Sequence, residues 1–197
     1  MQIAKKLKDN DEKNNSICKI SLYTEAVGFF LRIKKKKEYN FLITCYHVLS
    51  ESIRDKSDIE IRLKNDKKKV INLDDPKRLI KYVEEKDIAA IEIKNKDNIK
   101  NSVNFLNMDL NNSNANEYNQ YKNKDIIVLE YYSGTIYYKK GNILDINDKN
   151  CEFKHNLLTK EESDGSPIIL VENSKVIGIQ KRTSYGIFIA ELLKELD

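Results

Sequence analysis

The sequence predicts an all-β protein: two antiparallel six-stranded barrels closed by a short C-terminal helix. Three observations predict it. Short runs rich in β-branched and aromatic residues follow one another along most of the chain, with turn-forming residues between them. A polar stretch rich in asparagine and lysine, 95–124, divides those runs into two sets. The last apolar segment changes period, because Ala190, Leu192, Leu193 and Leu196 fall on one face of a helix.

The first set of candidate strands is 17–23, 27–33, 39–44, 58–63, 69–73 and 88–93. The second is 125–131, 134–139, 142–146, 152–155, 167–171, 175–180 and 186–189. A single helical turn is expected over 50–55, and a short helix followed by a disordered lead over the first fifteen residues. The expected organisation is therefore a lead over 1–15, a first barrel over 16–94, a polar linker over 95–124 and a second barrel over 125–197. One short ordered segment is expected inside the linker, near 103–108. No internal repeat of fixed period is visible.

Composition narrows the function classes. At 197 residues the chain can bury one substantial core or two small ones sharing it. With 34% charged and 40% hydrophobic residues it reads as globular with a very polar surface. No apolar run approaches the length of a membrane helix, so no membrane partner is expected. The N-terminus is basic but lacks the apolar centre of a secretory signal. Cys18, Cys45 and Cys151 are an odd set without close pairing, which fits a reducing compartment; the expected location is cytoplasmic. Cys45 and His47 could suggest a metal pair, but with two histidines in the chain no metal site is expected. Phosphate-binding glycine loops are absent and no cofactor is expected. The lysine runs 34–37 and 67–69 read as solvated hairpin tips. They lack interleaved aromatics and a recognisable binding fold, so no nucleic-acid partner is expected.

Three positions could carry chemistry, and each has an ordinary reading. His47 follows the apolar run Phe41-Leu42-Ile43-Thr44 and could be a core histidine. Asp87 opens Asp87-Ile88-Ala89-Ala90-Ile91 and could be a strand boundary. Gly165-Ser166-Pro167 precedes the apolar run Ile168 to Val171 and could be strand punctuation. These ordinary readings are not independent, because the three occur in the order His, Asp, serine loop, with the two barrel-like halves placed around them.

Taken together, the segments resemble the trypsin-like (PA clan) serine peptidases, closest to compact intracellular versions without disulfides. The resemblance spans roughly Ile17 to Leu196. Ala26-Val27-Gly28-Phe29 is similar to the Gly-x-Gly-Phe stretch of the first barrel, with alanine for the first glycine. Thr44-Cys45-Tyr46-His47-Val48 is similar to the histidine motif, Asp87-Ile88-Ala89 to the aspartate motif, and Ser163-Asp164-Gly165-Ser166-Pro167-Ile168 to the nucleophile loop. Lys175-Val176-Ile177-Gly178-Ile179 is similar to the strand that walls the substrate cleft.

The resemblance implies His47 as general base and Asp87 as the partner that fixes its tautomer. It places Asp164 at the nucleophile position, where a carboxylate has no proton for His47 to remove. It places Glu162 at the oxyanion-hole glycine, so that hole would be built from the backbone at Glu162 and Asp164. Ser163 stands where the family commonly has aspartate, and Ser166 where it has a small packing residue. Cleft walls are implied over 157–160 and 180–183, with Leu158, Gln180, Lys181 and Arg182 facing substrate; Lys181 and Arg182 hint at acidic ligands. Two functions remain open on these residues. One is a homologue with little or no peptidase activity that serves as a peptide- or protein-binding or regulatory module. The other is an active intracellular endopeptidase using Ser163 with His47 and Asp87.

Overall fold

The structure is a computed structural model, and it describes residues 3–8, 11–21, 25–53, 58–110 and 118–196. The all-β expectation holds, with two sheets forming a half-barrel and a closed barrel.

The N-terminal sheet contains β2 (Ile17–Ser21), β3 (Glu25–Lys34), β4 (Glu38–Cys45), β5 (Asp58–Leu63), β6 (Lys67–Asn72), β7 (Ile80–Val83) and β8 (Ile88–Glu92). Its order is β6-β5-β2-β3-β4-β8-β7, and no ladder joins β6 to β7 among the described residues. This half is an open half-barrel where the sequence suggests a closed one. The strand at Ile80–Val83 is also an addition; it is only four residues long and none of them is fully buried, so its alternation is too short to stand out. The last two residues of the expected strand 17–23, and 54–55 of the expected turn 50–55, lie outside the described residues. The helix there, α1, starts earlier and spans Tyr46–Ile53.

The C-terminal half closes. It contains β10 (Asp125–Tyr132), β11 (Thr135–Asn147), β12 (Glu152–His155), β13 (Pro167–Leu170), β14 (Val176–Lys181) and β15 (Tyr185–Phe188). The ring runs β11-β10-β13-β14-β15-β12 and returns to β11. The seven expected strands become six because 134–139 and 142–146 are one strand. Lys140, Gly141 and Asn142 keep pairing with Ile127, Ile126 and Asp125, so Gly141 is a strand residue and not a turn. The break in the apolar pattern instead marks a bulge between Ile143 and Asp145.

Three pieces lie outside the half-barrel and the closed barrel. β1 (Lys5–Lys6) pairs with Tyr137 and Tyr138 of β11, and Leu7 is buried behind it, so this part of the expected lead is a strand. β9 (Leu106–Asn107) runs parallel to Leu31–Arg32 of β3, within the segment expected to be ordered near 103–108. The C-terminal helix is 3₁₀ over Ile189–Leu196 and buries Leu192, Leu193 and Leu196. No helix among the described residues is long and apolar enough to cross a membrane.

One buried ion pair fixes the corner after β8. The Arg78 and Asp97 side chains are 0% and 4% exposed and bond through two N–H···O contacts of 2.8 and 2.7 Å. Burial pushes the Asp97 carboxyl up, but the Arg78 bonds outweigh it and the net shift is down. Removing one partner of such a pair strands the other, which costs about 3–5 kcal/mol. Asp97→Ala is therefore expected to lower the unfolding free energy by about that amount in urea titrations at neutral pH. A depressed carboxyl pKa stabilises the fold above its unfolded value and loses that as pH falls through the folded value. The wild-type advantage should accordingly shrink on acidification.

Candidate active site

β4 is apolar to its end at Cys45 and hands the chain directly to α1, so His47 lies in the first helical turn. Its side chain is 54% exposed, which removes the core-histidine reading. Asp87 lies where the turn Glu84–Lys86 gives way to β8, with a left-handed φ of 55°. Aspartate tolerates that conformation better than most residues. The Asp87 carbonyl accepts the Tyr46 N–H at 3.1 Å, and its carboxylate accepts the His47 backbone N–H at 2.9 Å. His47 Nδ1 lies 2.8 Å from Oδ2 and 3.0 Å from Oδ1 of the same carboxylate. A carboxylate only accepts, so Nδ1 carries the proton and Nε2 faces away from Asp87.

Asp164 stands on that far side. Its Oδ2 is 3.9 Å from His47 Nε2, and its Oδ1 accepts the Arg182 backbone N–H at 2.8 Å. The loop is held by its neighbours in the backbone. The Asp164 carbonyl accepts the Val27 N–H at 3.1 Å, and the Gly165 N–H is given to the Gln180 carbonyl at 3.0 Å. Gly165 has φ +90°, and a Cβ there would lie 2.0 Å from the Val27 carbonyl oxygen. Only glycine fits both demands.

The imidazole thus stands between two carboxylates. Its pKa is raised, chiefly by the Asp87 hydrogen bond; partial burial opposes this, and the charges of Asp87 and Asp164 add to it. The Asp87 carboxyl is pushed up by burial but ends below its ordinary value because of its bonds to His47.

Ser163 points elsewhere. It is 2% exposed, and its hydroxyl lies 3.4 Å from Glu130 Oε1. Glu130 in turn accepts from Lys139 Nζ at 2.9 Å, and that ammonium also reaches the Leu158 carbonyl at 3.0 Å. Glu162 is exposed. Of the expected cleft residues, Leu158 is 72% exposed and Arg182 is exposed with φ 58°. Lys181 lies 3.6 Å from Glu152. Gln180 is fully buried and its carboxamide is engaged: Oε1 is 3.0 Å from His155 Nε2, and Nε2 donates to Thr159 Oγ1 at 2.9 Å and to the Arg182 carbonyl. Burial lowers the His155 pKa to about 4, so the ring is neutral near pH 7. Its Nδ1 accepts the Leu157 N–H at 3.3 Å, which leaves Nε2 as the donor to Gln180.

Glu130, Lys139 and His155 are neighbours of the loop and of Gln180 that sequence reasoning does not single out, whereas Thr159 falls within the expected wall 157–160. Each of the first three reads as an ordinary strand residue until the β10–β11 and β14–β15 registers are known. Cys45, His47 and Asp87 offer ligand atoms within 4.8 Å of one another. Burial keeps the Cys45 thiol protonated, it donates to the Gln180 carbonyl, and His47 Nδ1 is committed to Asp87. That arrangement suits hydrogen bonding better than metal ligation, which needs a thiolate.

The half-barrel and the closed barrel, with a His–Asp pair at the end of β4 and the start of β8, make up a chymotrypsin-like two-barrel fold. No family model and no curated protein matches the sequence. Solved structures match in fold. The serine protease domain of the Sesbania mosaic virus polyprotein aligns over 98% of this chain and 98% of its own, at TM-score 0.65 and 17% identity. Catalytically inactive tobacco etch virus protease complexed with substrate aligns over 95% and 86%, at 0.62 and 14%. The protease Anisep from Arthrobacter nicotinovorans aligns over 94% and 93%, at 0.62 and 12%. At these identities the likeness is one of fold.

Titration of His47 by proton NMR tests the electrostatics. Asp164→Asn should lower its pKa, and Asp87→Asn should lower it further because the hydrogen bond is the larger cause. A His47 pKa unchanged in both variants would contradict the geometry.

Proposed function

We propose that the chain is a protease-fold protein without standard serine-peptidase chemistry, which holds a peptide or protein segment in its cleft as a binding or regulatory module. The observation that carries this reading is the pair of orientations in the loop. Asp164 presents a carboxylate to His47 Nε2, and Ser163 turns its hydroxyl to buried Glu130. Acyl transfer needs a nucleophile whose proton His47 can take, and Asp164 offers none. The Oδ2 to Nε2 distance of 3.9 Å suits a charge interaction with protonated His47. The carboxylate also opposes the negative charge that a tetrahedral intermediate would develop nearby.

Binding does not need that chemistry. Leu158, Arg182 and His47 are exposed and offer an apolar, a cationic and a polar contact. Extended peptides can be held by backbone pairing with side chains in adjacent recesses. A solved structure of the same fold, the catalytically inactive tobacco etch virus protease, is complexed with substrate. Cys18, Cys45 and Cys151 are free and buried, which supports a reducing location such as the cytoplasm.

A fluorophosphonate probe separates this reading from an endopeptidase that uses Ser163. The wild-type chain should remain unlabelled, and Asp164→Ser with Glu162→Gly should gain labelling at residue 164. Labelling of the wild type that disappears in Ser163→Ala would overturn the proposal and identify Ser163 as the nucleophile.

A further inference from the structure

A second recognition surface lies on the outside of the closed barrel. Ile127 and Leu129 of β10 and Tyr138 of β11 lie on one face of that ladder, opposite the face of Val128 and Lys139. The N-terminal strand β1 crosses beside them, and a groove of about 420 Å³ is left between. Two smaller recesses of about 210 Å³ each adjoin it, and all three share Lys140. The result is a trough with Ile3, 81% exposed, at one end and Val171, also exposed, at the other.

Its chemistry is specific. The floor is aliphatic with one tyrosine, and the rim carries Lys5, Lys6, Lys8, Lys13 and Lys140. The acidic residues along the trough are engaged locally: Asp11 bonds the Lys13 N–H and lies 3.6 Å from its ammonium, and Asp125 bonds the Asn142 side chain. No carboxylate partner is assigned to Lys5, Lys6, Lys8 or Lys140 among the described residues. Among the described residues β1 pairs on one side only, through β11, and no strand lies on its other edge. Lysines on an edge strand commonly serve to discourage pairing with other chains. That role requires charge on the edge; it does not require a 420 Å³ recess floored by Ile127 and Leu129.

We propose that this trough docks an extended acidic segment of a partner protein, with glutamate or aspartate side chains on the lysine rim and apolar side chains on the half-buried Ile127 and Tyr138, beneath which Leu129 is buried. Charge complementarity selects an acidic partner. The β1 edge without a neighbouring strand selects an extended backbone, which can add as a further strand. Single-stranded nucleic acid would use a series of aromatic stacking platforms, and the floor has one ring. The trough contains none of His47, Asp87 or Asp164, so this proposal is independent of the reading of the cleft.

The test uses the full chain and a fluorescein-labelled peptide of alternating glutamate and leucine, followed by fluorescence anisotropy. The wild type should bind it, and Lys5→Glu with Lys140→Glu should weaken binding about tenfold or more. Ile127→Ser should weaken it while leaving the surface charge intact. His47→Ala should leave it unchanged. No binding by the wild type overturns the proposal. So does equal binding of polyglutamate or of a single-stranded oligodeoxynucleotide, which would mark a charge-only surface. Loss in His47→Ala would place the peptide in the cleft instead. Thermal melting of each variant identifies any loss caused by unfolding, and chemical-shift changes at Tyr138 on adding the peptide to the wild type then decide the matter without a substitution.

Discussion

The site depends on one close approach between the two halves. Gly165 comes so near the Val27 carbonyl that no side chain could occupy its Cβ position. The same carbonyl accepts the Thr44 hydroxyl at 2.8 Å, which ties β3 to the end of β4 just before His47. On the other side, the Gly165 N–H is bonded to Gln180 of β14. A single peptide unit thereby touches the half-barrel and the closed barrel at once. Its neighbour Asp164 has little freedom: its carbonyl accepts from Val27 and its carboxylate from Arg182. Whatever residue stands at 164 is delivered toward His47 by that backbone.

Delivery is separable from chemistry. The same loop geometry that brings Asp164 toward Nε2 buries the preceding side chain, because adjacent residues on a tight turn point apart. Ser163 consequently meets Glu130 on the barrel side. Lys139 neutralises that buried carboxylate and also holds the Leu158 carbonyl. Bringing Ser163 to His47 would require breaking its contact with Glu130 and shifting a loop pinned by Gly165. The ionic network under the loop and the glycine above it favour the same orientation.

Much of the fold was legible because its signals are local. Strand runs, turn residues and the polar break at 95–124 need only neighbouring residues to be read. Closure is different: whether β6 meets β7 depends on twist accumulated over a whole sheet. Gly141 misled for a related reason. Alone it signals a turn, yet the ladder from Asp125 to Tyr132 carries it through as a strand residue. At the site, His47, Asp87 and Asp164 could be picked out because each stands in a short motif. Glu130, Lys139 and His155 could not, since they acquire meaning only across strands. Gln180 shows the limit most clearly. Its place beside the cleft followed from the motif, but its burial and its bonds to His155 and Thr159 depend on the register of β14 against β15 and on the loop leading out of β12.

The two carboxylates around His47 are not equivalent. Asp87 binds the ring and the backbone N–H of the same residue, so it fixes position as well as charge. Asp164 touches the ring only at long range, while its other oxygen accepts the Arg182 backbone N–H. Deleting Asp87 would free the imidazole and loosen the start of α1, whereas replacing Asp164 would change the field at Nε2 with the ring still anchored. The architecture therefore depends on Asp87 and Gly165 and is tolerant at 164. The residue at 164 can therefore change its chemistry while the His47–Asp87 pair and the Gly165 contact with Val27 stay in place.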